Sequence, residues 1–160
     1  MTGTALTPTK RFIRPGVTVV RFLTTAVDYK ALTLAELNAG TDLQPEIADT
    51  SGWSVSSNLV ETPDWSSRYT KKVAGMITAD DSSLTFWADQ DGQDVRTLLP
   101  RDTTGFIVWL DGGLSGGVMD VYPVTVASQS KTRTATDPAQ IVIDFSIDEE
   151  PSENQAIPTV

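Results

Sequence analysis

The chain has 160 residues, 21 of them acidic against 12 basic, for a net charge of -9, and it contains neither cysteine nor histidine. That composition excludes a disulfide framework, a thiolate metal site, a cysteine nucleophile and any triad built on imidazole. The acidic balance also argues against ordinary nucleic-acid binding, which needs clustered Lys and Arg, while suiting a surface that DNA passes without sticking.

The sequence reads as a single domain, residues 1–160, with polar arms at 1–16 and 149–160 around a core at 17–148. Met1–Lys10 is Thr-rich and lacks the apolar stretch of a secretory signal. No apolar run approaches the roughly 20 residues of a membrane span, so no membrane partner is expected. Val17–Leu23 is rich in β-branched residues and reads as a strand. Leu34–Ala39 reads as a short helix: Thr33 and Glu36 have capping-box spacing, and Gly40 is expected to close it in the left-handed conformation. Asp42–Gly52, interrupted by Pro45, reads as a loop.

Trp53–Glu61 alternates as a strand, with Trp53, Val55, Ser57 and Leu59 on one face. Thr62–Arg68 reads as a long polar hairpin loop, and Tyr69–Thr78 as the returning strand. Ser82–Ala88 is the next strand. Gly92–Leu99 reads as helical, with Asp91 as N-cap and Pro100 as terminator. Thr104–Leu110 is strongly apolar and reads as a central strand; Asp111–Gly117 is a glycine-rich turn. Val118–Ser128 and Gln140–Asp148 complete the set. In the last, Ile141, Ile143, Phe145 and Ile147 alternate with Val142, Asp144, Ser146 and Asp148, which predicts one buried and one polar face. The fold class is therefore mainly β: an antiparallel sandwich or barrel with one or two short helices.

The motifs that carry chemistry elsewhere are weak here. Asp89–Gly92 is only a fragment of a calcium loop, Asp80-Asp81 reads as turn residues, and no two carboxylates are singled out as a glycosidase pair. The glycines at 112, 113, 116 and 117 lack the Lys and following helix of a phosphate loop. No catalytic residue, metal ligand or cofactor is expected, and the reading is non-enzymatic. Trp65, in a Pro/Asp/Ser loop, is an interface candidate. Four tryptophans leave a second reading open, a β-sandwich module that binds a receptor or carbohydrate through a Trp-lined site.

The segments ELNAGTDL (Glu36–Leu43), EIADTSGWSVSSNLVETPD (Glu46–Asp64), TADDSSLTFWADQDGQDVRTLLPRDTTGFIVWLDGG (Thr78–Gly113), MDVYPVTVASQSK (Met119–Lys131) and FSIDEEPSEN (Phe145–Asn154) resemble the tail tube, or major tail, proteins of long-tailed phages, especially siphophages of actinobacteria. The resemblance covers most of the chain beyond the first ~20 residues and rests on overall texture, with no catalytic signature. It implies a β-sandwich with a flanking helix, six copies to a ring, one sheet from each copy joined into a continuous inner barrel, and rings stacked into a tube. It implies as partners other copies of the chain, a tape measure protein in the lumen during assembly, tail terminator and distal tail proteins, and transiting DNA that is not specifically bound. It implies a place in the virion tail after assembly in the host cytoplasm.

In that family a long hairpin loop and the terminal arms bridge neighbouring subunits. The loop maps onto Thr62–Arg68, which makes Pro63, Asp64, Trp65 and Arg68, with Arg11 and Arg14 of the N-terminal arm, the expected contact residues. Asp144 and Asp148, on the polar side of the last strand, are the expected lumen-facing residues.

Overall fold

The computed structural model describes residues 3–114 and 116–159. Residues 3–13 carry no helix or strand and are exposed. The chain then turns back at Arg14, whose carbonyl accepts from the Val17 and Thr18 N–H groups, and enters β1 (Val19–Leu23). Helix α1 (Leu34–Ala39) forms where the capping box predicts. The Thr33 hydroxyl accepts from the Glu36 N–H at 3.3 Å, and the Glu36 carboxylate accepts from the Thr33 N–H at 2.8 Å. The same carboxylate also takes the Val27 N–H at 2.8 Å, so one side chain ties the helix start to the preceding loop.

Gly40 departs from expectation. Its backbone is extended (φ -70°, ψ 155°), because the chain passes directly into β2 (Thr41–Asp42) without a left-handed turn. Glycine is needed there for close approach: a Cβ would lie 3.0 Å from the Leu23 side chain and 3.3 Å from the Phe22 carbonyl oxygen.

The segment expected to be one loop from 42 to 52 contains a 3-10 turn (Gln44–Glu46) and a strand, β3 (Ile47–Ser51). β3 is an edge strand against β6 (Ser82–Trp87). Its Asp, Thr and Ser content hid it, and polar residues are what an exposed sheet edge tolerates. β4 (Val55–Thr62) and β5 (Lys71–Ala79) form a separate two-stranded hairpin. Trp53 stands outside β4, in the left-handed region at φ 67°. In the region read as a helix, only a 3-10 turn (Val95–Thr97) forms, and its cap is Asp94 rather than Asp91.

β7 (Thr104–Leu110), β8 (Val118–Thr132) and β9 (Gln140–Ile147) are the middle of the main sheet, whose order is β2-β1-β7-β8-β9-β6-β3. All its pairings are antiparallel. The first half of β8 pairs with β7 and its second half with β9, with a register shift between Val126 and Ser128. That irregularity lets one long strand serve both halves of a curled sheet. The C-terminal stretch expected as a polar arm folds back as β10 (Ser152–Ala156) on β8, and Ile157 beyond it is buried.

Two cores result. One, including Phe22, Leu84, Phe86, Ile107, Ile141, Ile143 and Phe145, fills the space between the two halves of the sheet. The other, including Leu23, Leu37, Val108, Leu110, Val121 and Ile157, lies where α1 and the C-terminal segment cover the opposite face. β7 therefore has apolar neighbours on both faces, which is why its sequence is a continuous apolar run without alternation.

Candidate assembly surface

The β4–β5 hairpin dominates the surface. Beyond Val55 every residue of its two strands is exposed. Opposed residues share a face, so Val60 and Val73 lie on one side. Leu59 with Ala74, and Ser57 with Ile77, lie on the other. Leu59, Val60, Val73, Met76 and Ile77 are all exposed large apolar side chains. The hairpin thus presents apolar groups to solvent on both faces, and an isolated two-stranded hairpin is at best marginally stable in water. The sequence carried this signal in the adjacent pairs Leu59-Val60 and Met76-Ile77, which break a one-sided alternation. Reading only the alternating positions missed it.

The tip is ordered locally. Asp64 accepts from the Ser66 N–H at 2.9 Å and from the Ser66 hydroxyl. These bonds, the hydroxyl's first, hold its carboxyl below the usual carboxylate range. Asp64 also pairs with Lys71 at 3.6 Å, and Glu61 with Lys72 at 3.3 Å. Such exposed pairs contribute little energy, and the register near the turn is set by the backbone pairing of Glu61 with Lys72 and Thr62 with Lys71. Pro63 and Arg68 are exposed, and Trp65 is fully exposed, touching nothing that would shield it.

Of the two arginines, Arg11 lies in the extended, exposed arm, whereas Arg14 places its guanidinium 5.3 Å from the centre of the Trp109 ring. A cation over an indole face is held electrostatically, so the arm leaves the body at a fixed point.

Arg14 overlooks a groove of about 410 Å³. One wall is Thr18 with the start of β1, at Val20, and the other is β3, at Ile47, Ala48 and Thr50. These two strands lie near opposite ends of the sheet order, and β1 pairs with β2 only at Arg21 and Phe22. The sheet has curled until its ends face each other without zipping together. Trp109 forms part of the groove; it is 7% exposed, and its indole N–H is buried without a partner.

Asp144 and Asp148 are exposed on β9 and just beyond it. Asp144 accepts from the Ser128 hydroxyl and Asp148 from the Thr125 hydroxyl. Asp144 also lines a polar cleft of about 720 Å³ at the foot of the hairpin, together with Asp80 and Asp81.

The tryptophans are not gathered into a sugar platform. Trp53 and Trp109 pack against each other, 5.6 Å between ring centres, while Trp65 sits at the hairpin tip and Trp87 on β6. Among the described residues no group of three or more Asp and Glu is placed to hold a metal ion. No helix there is long and apolar enough to cross a membrane.

A family model described as phage tail tube protein matches residues 5–160. No curated protein sequence matches the chain. Among solved structures, the fold is similar to a chain of the SPP1 tail tube, determined by solid-state NMR and cryo-EM. The TM-score is 0.59 at 13% identity, covering 89% of this chain and 79% of that one. It is also similar to a chain of the anti-feeding prophage baseplate, determined by cryo-EM with six-fold symmetrisation. There the TM-score is 0.56 at 10% identity, covering 93% and 95% of the two chains. At these identities the likeness is one of fold.

Proposed function

The chain belongs to the phage tail tube protein family, a structural component of the virion tail, and on that premise we propose that six copies close into a ring and that rings stack into a tube through which DNA leaves the virion. One sheet from each copy joins its neighbours in a continuous inner barrel. The role is architectural, with no chemistry to perform.

The observation that carries this reading is the β4–β5 hairpin, exposed on both faces with apolar residues on each. In a lone subunit it has no core to fold against. Between neighbouring subunits it has two. An apolar surface of that kind on a soluble chain marks a protein–protein contact. The terminal arm at 3–13, with Leu6 and Ile13 exposed, adds a second unpartnered element.

Acidity supports the transport role. Six subunits at -9 each carry -54 per ring, and Asp144 and Asp148 are our candidates for the lumen side. Fixed negative charge repels phosphates, so DNA slides without being gripped. A tape measure protein holds the channel during assembly, and terminator and distal tail proteins close its ends. A non-contractile, siphophage tail is the setting this reading assigns.

Electron microscopy of the purified protein at high concentration tests it. The expected result is hollow tubes with a regular axial repeat and six-fold cross-section. A stable monomer that binds glycan, and loses that binding on a single Trp→Ala change, would replace this reading with the binding-module one.

A further inference from the structure

The tube reading says that copies touch without saying what the hairpin tip meets. We infer that Trp65 of one copy seats in the groove between β1 and β3 of another. The inference rests on the self-assembly reading and deepens it.

Three observations converge. The first is a mismatch within the single chain. Trp65 is the most exposed large apolar side chain among the described residues, and the groove lined by Val20, Ile47, Ala48 and Trp109 opens to the surface between two strands that do not pair with each other. Burying one Trp removes about 150–250 Å² from water, and a groove of about 410 Å³ is large enough to take an indole with part of its turn. Central aromatic anchors in pockets are where interface energy concentrates.

The second is reach. β4 is eight residues long, so at about 3.3 Å per residue the hairpin carries its tip roughly 26 Å from its foot. The tip therefore projects far enough to meet another copy.

The third is charge. In sequence, Trp65 directly follows Asp64, and Arg68 lies three residues beyond it. The groove carries an exposed Arg14 on its β1 side and an exposed Asp49 on β3. Asp64 toward Arg14 and Arg68 toward Asp49 satisfies both ends with one orientation, which supplies register more than affinity.

Knob and hole occupy different parts of the same surface. The contact can therefore run head-to-tail, closing as a ring or continuing as a filament, and a ladder from the double variant distinguishes this from a reciprocal two-fold dimer. Head-to-tail is the symmetry a tube requires. The contact also covers the free edge of β3, which ends the sheet on that side and is otherwise open to wrong pairing.

The chain has no cysteine, so the test is direct. Ser66→Cys places a thiol beside Trp65 without removing it, and Ala48→Cys places one in the groove. The two single variants are mixed, assembled and treated with a short bismaleimide. The expected product is a dimer of unlike chains, with neither variant cross-linking to itself; the double variant gives a ladder. Adding Trp65→Ala should weaken the contact about 30-fold, the size of one hot-spot anchor, and remove the ladder. As a second readout, Arg68→Asp and Asp49→Arg each slow assembly alone and restore it when combined. Tubes visible by microscopy that contain both thiols yet give no Ser66→Cys to Ala48→Cys product overturn the inference and leave the tube reading intact. Absence of any assembly from the unmodified protein overturns the tube reading itself.

Discussion

The indole of Trp53 stands edge-on to that of Trp109, 5.6 Å between ring centres and 63° between planes. Trp53 also meets Tyr122 at 5.3 Å and Phe145 at 5.5 Å. Its own polar groups are used in full: the backbone N–H donates to the Ser82 hydroxyl at 3.0 Å, the indole N–H to the Ser83 carbonyl at 3.1 Å, and its carbonyl accepts from the Tyr122 hydroxyl at 3.0 Å. One residue thereby joins β6, β7, β8 and β9 at the point where the chain departs into the hairpin.

Trp53→Ala is therefore expected to cost about 3 kcal/mol, at the low end for a large aromatic because the residue is only partly buried. In thermal unfolding this is a fall in Tm of roughly 10 °C. Trp53→Gly should be the milder of the two by about 1 kcal/mol, since φ is 67° and only glycine takes that conformation freely. Equal losses would mean that the left-handed backbone is not strained in the folded chain.

Tyr122 gives the protein an alkaline limit. Burial, with Asp120, Glu153 and Asp111 nearby, pushes its phenol up to about 12 from an ordinary value of 10.0. Below pH 10 the group is protonated both folded and unfolded and contributes no pH dependence. Between about 10 and 12 the unfolded chain loses this proton while the folded one keeps it, so stability falls across that window. Urea midpoints measured from pH 8 upward should decline beyond 10. Tyr122→Phe should flatten this part of the decline, at a cost of about 1 kcal/mol at neutral pH for the lost bond to the Trp53 carbonyl.

Where the fold was legible in the sequence, the signal was local. The capping box of α1 needs only Thr33 and Glu36, and the alternation of β9 needs only its own eight residues. β3 and β10 were hidden because their partners hold them. β10 reads Ser-Glu-Asn-Gln-Ala, a sequence without strand character. It is fixed by the Asn154 N–H donating to the Asp120 carboxylate at 2.7 Å, by the Tyr29 hydroxyl on the Glu150 carbonyl at 3.0 Å, and by burial of Ile157. The same division holds for the assembly surface. Trp65 stood out because its neighbours are Pro, Asp and Ser. The groove did not, since Val20, Ile47 and Trp109 come together only when the sheet curls.

Trp65→Ala separates folding from assembly. The side chain makes no shielding contact in its own subunit, so the unfolding free energy should change by less than about 0.5 kcal/mol. Tube growth, followed by light scattering, should be strongly impaired at matched concentration. Normal growth would remove Trp65 from the interface.

The placement of Asp144 is tested by size-selective labelling. The chain carries no cysteine, so Asp144→Cys introduces a unique thiol at an exposed position whose native carboxylate accepts from the Ser128 hydroxyl. Free subunits should react with both a small maleimide and one carrying a bulky polyethylene glycol chain. In assembled tubes the two reagents report different things. A lumen position admits the small reagent through the open ends and rejects the bulky one. A position sealed between subunits rejects both, and a position on the outer wall accepts both. Our reading requires the first pattern. The same reagents applied to Asp148→Cys show whether the acidic face continues past the end of β9, since Asp148 lies one residue beyond the strand and is hydrogen-bonded to β8 through the Thr125 hydroxyl and the Pro123 carbonyl.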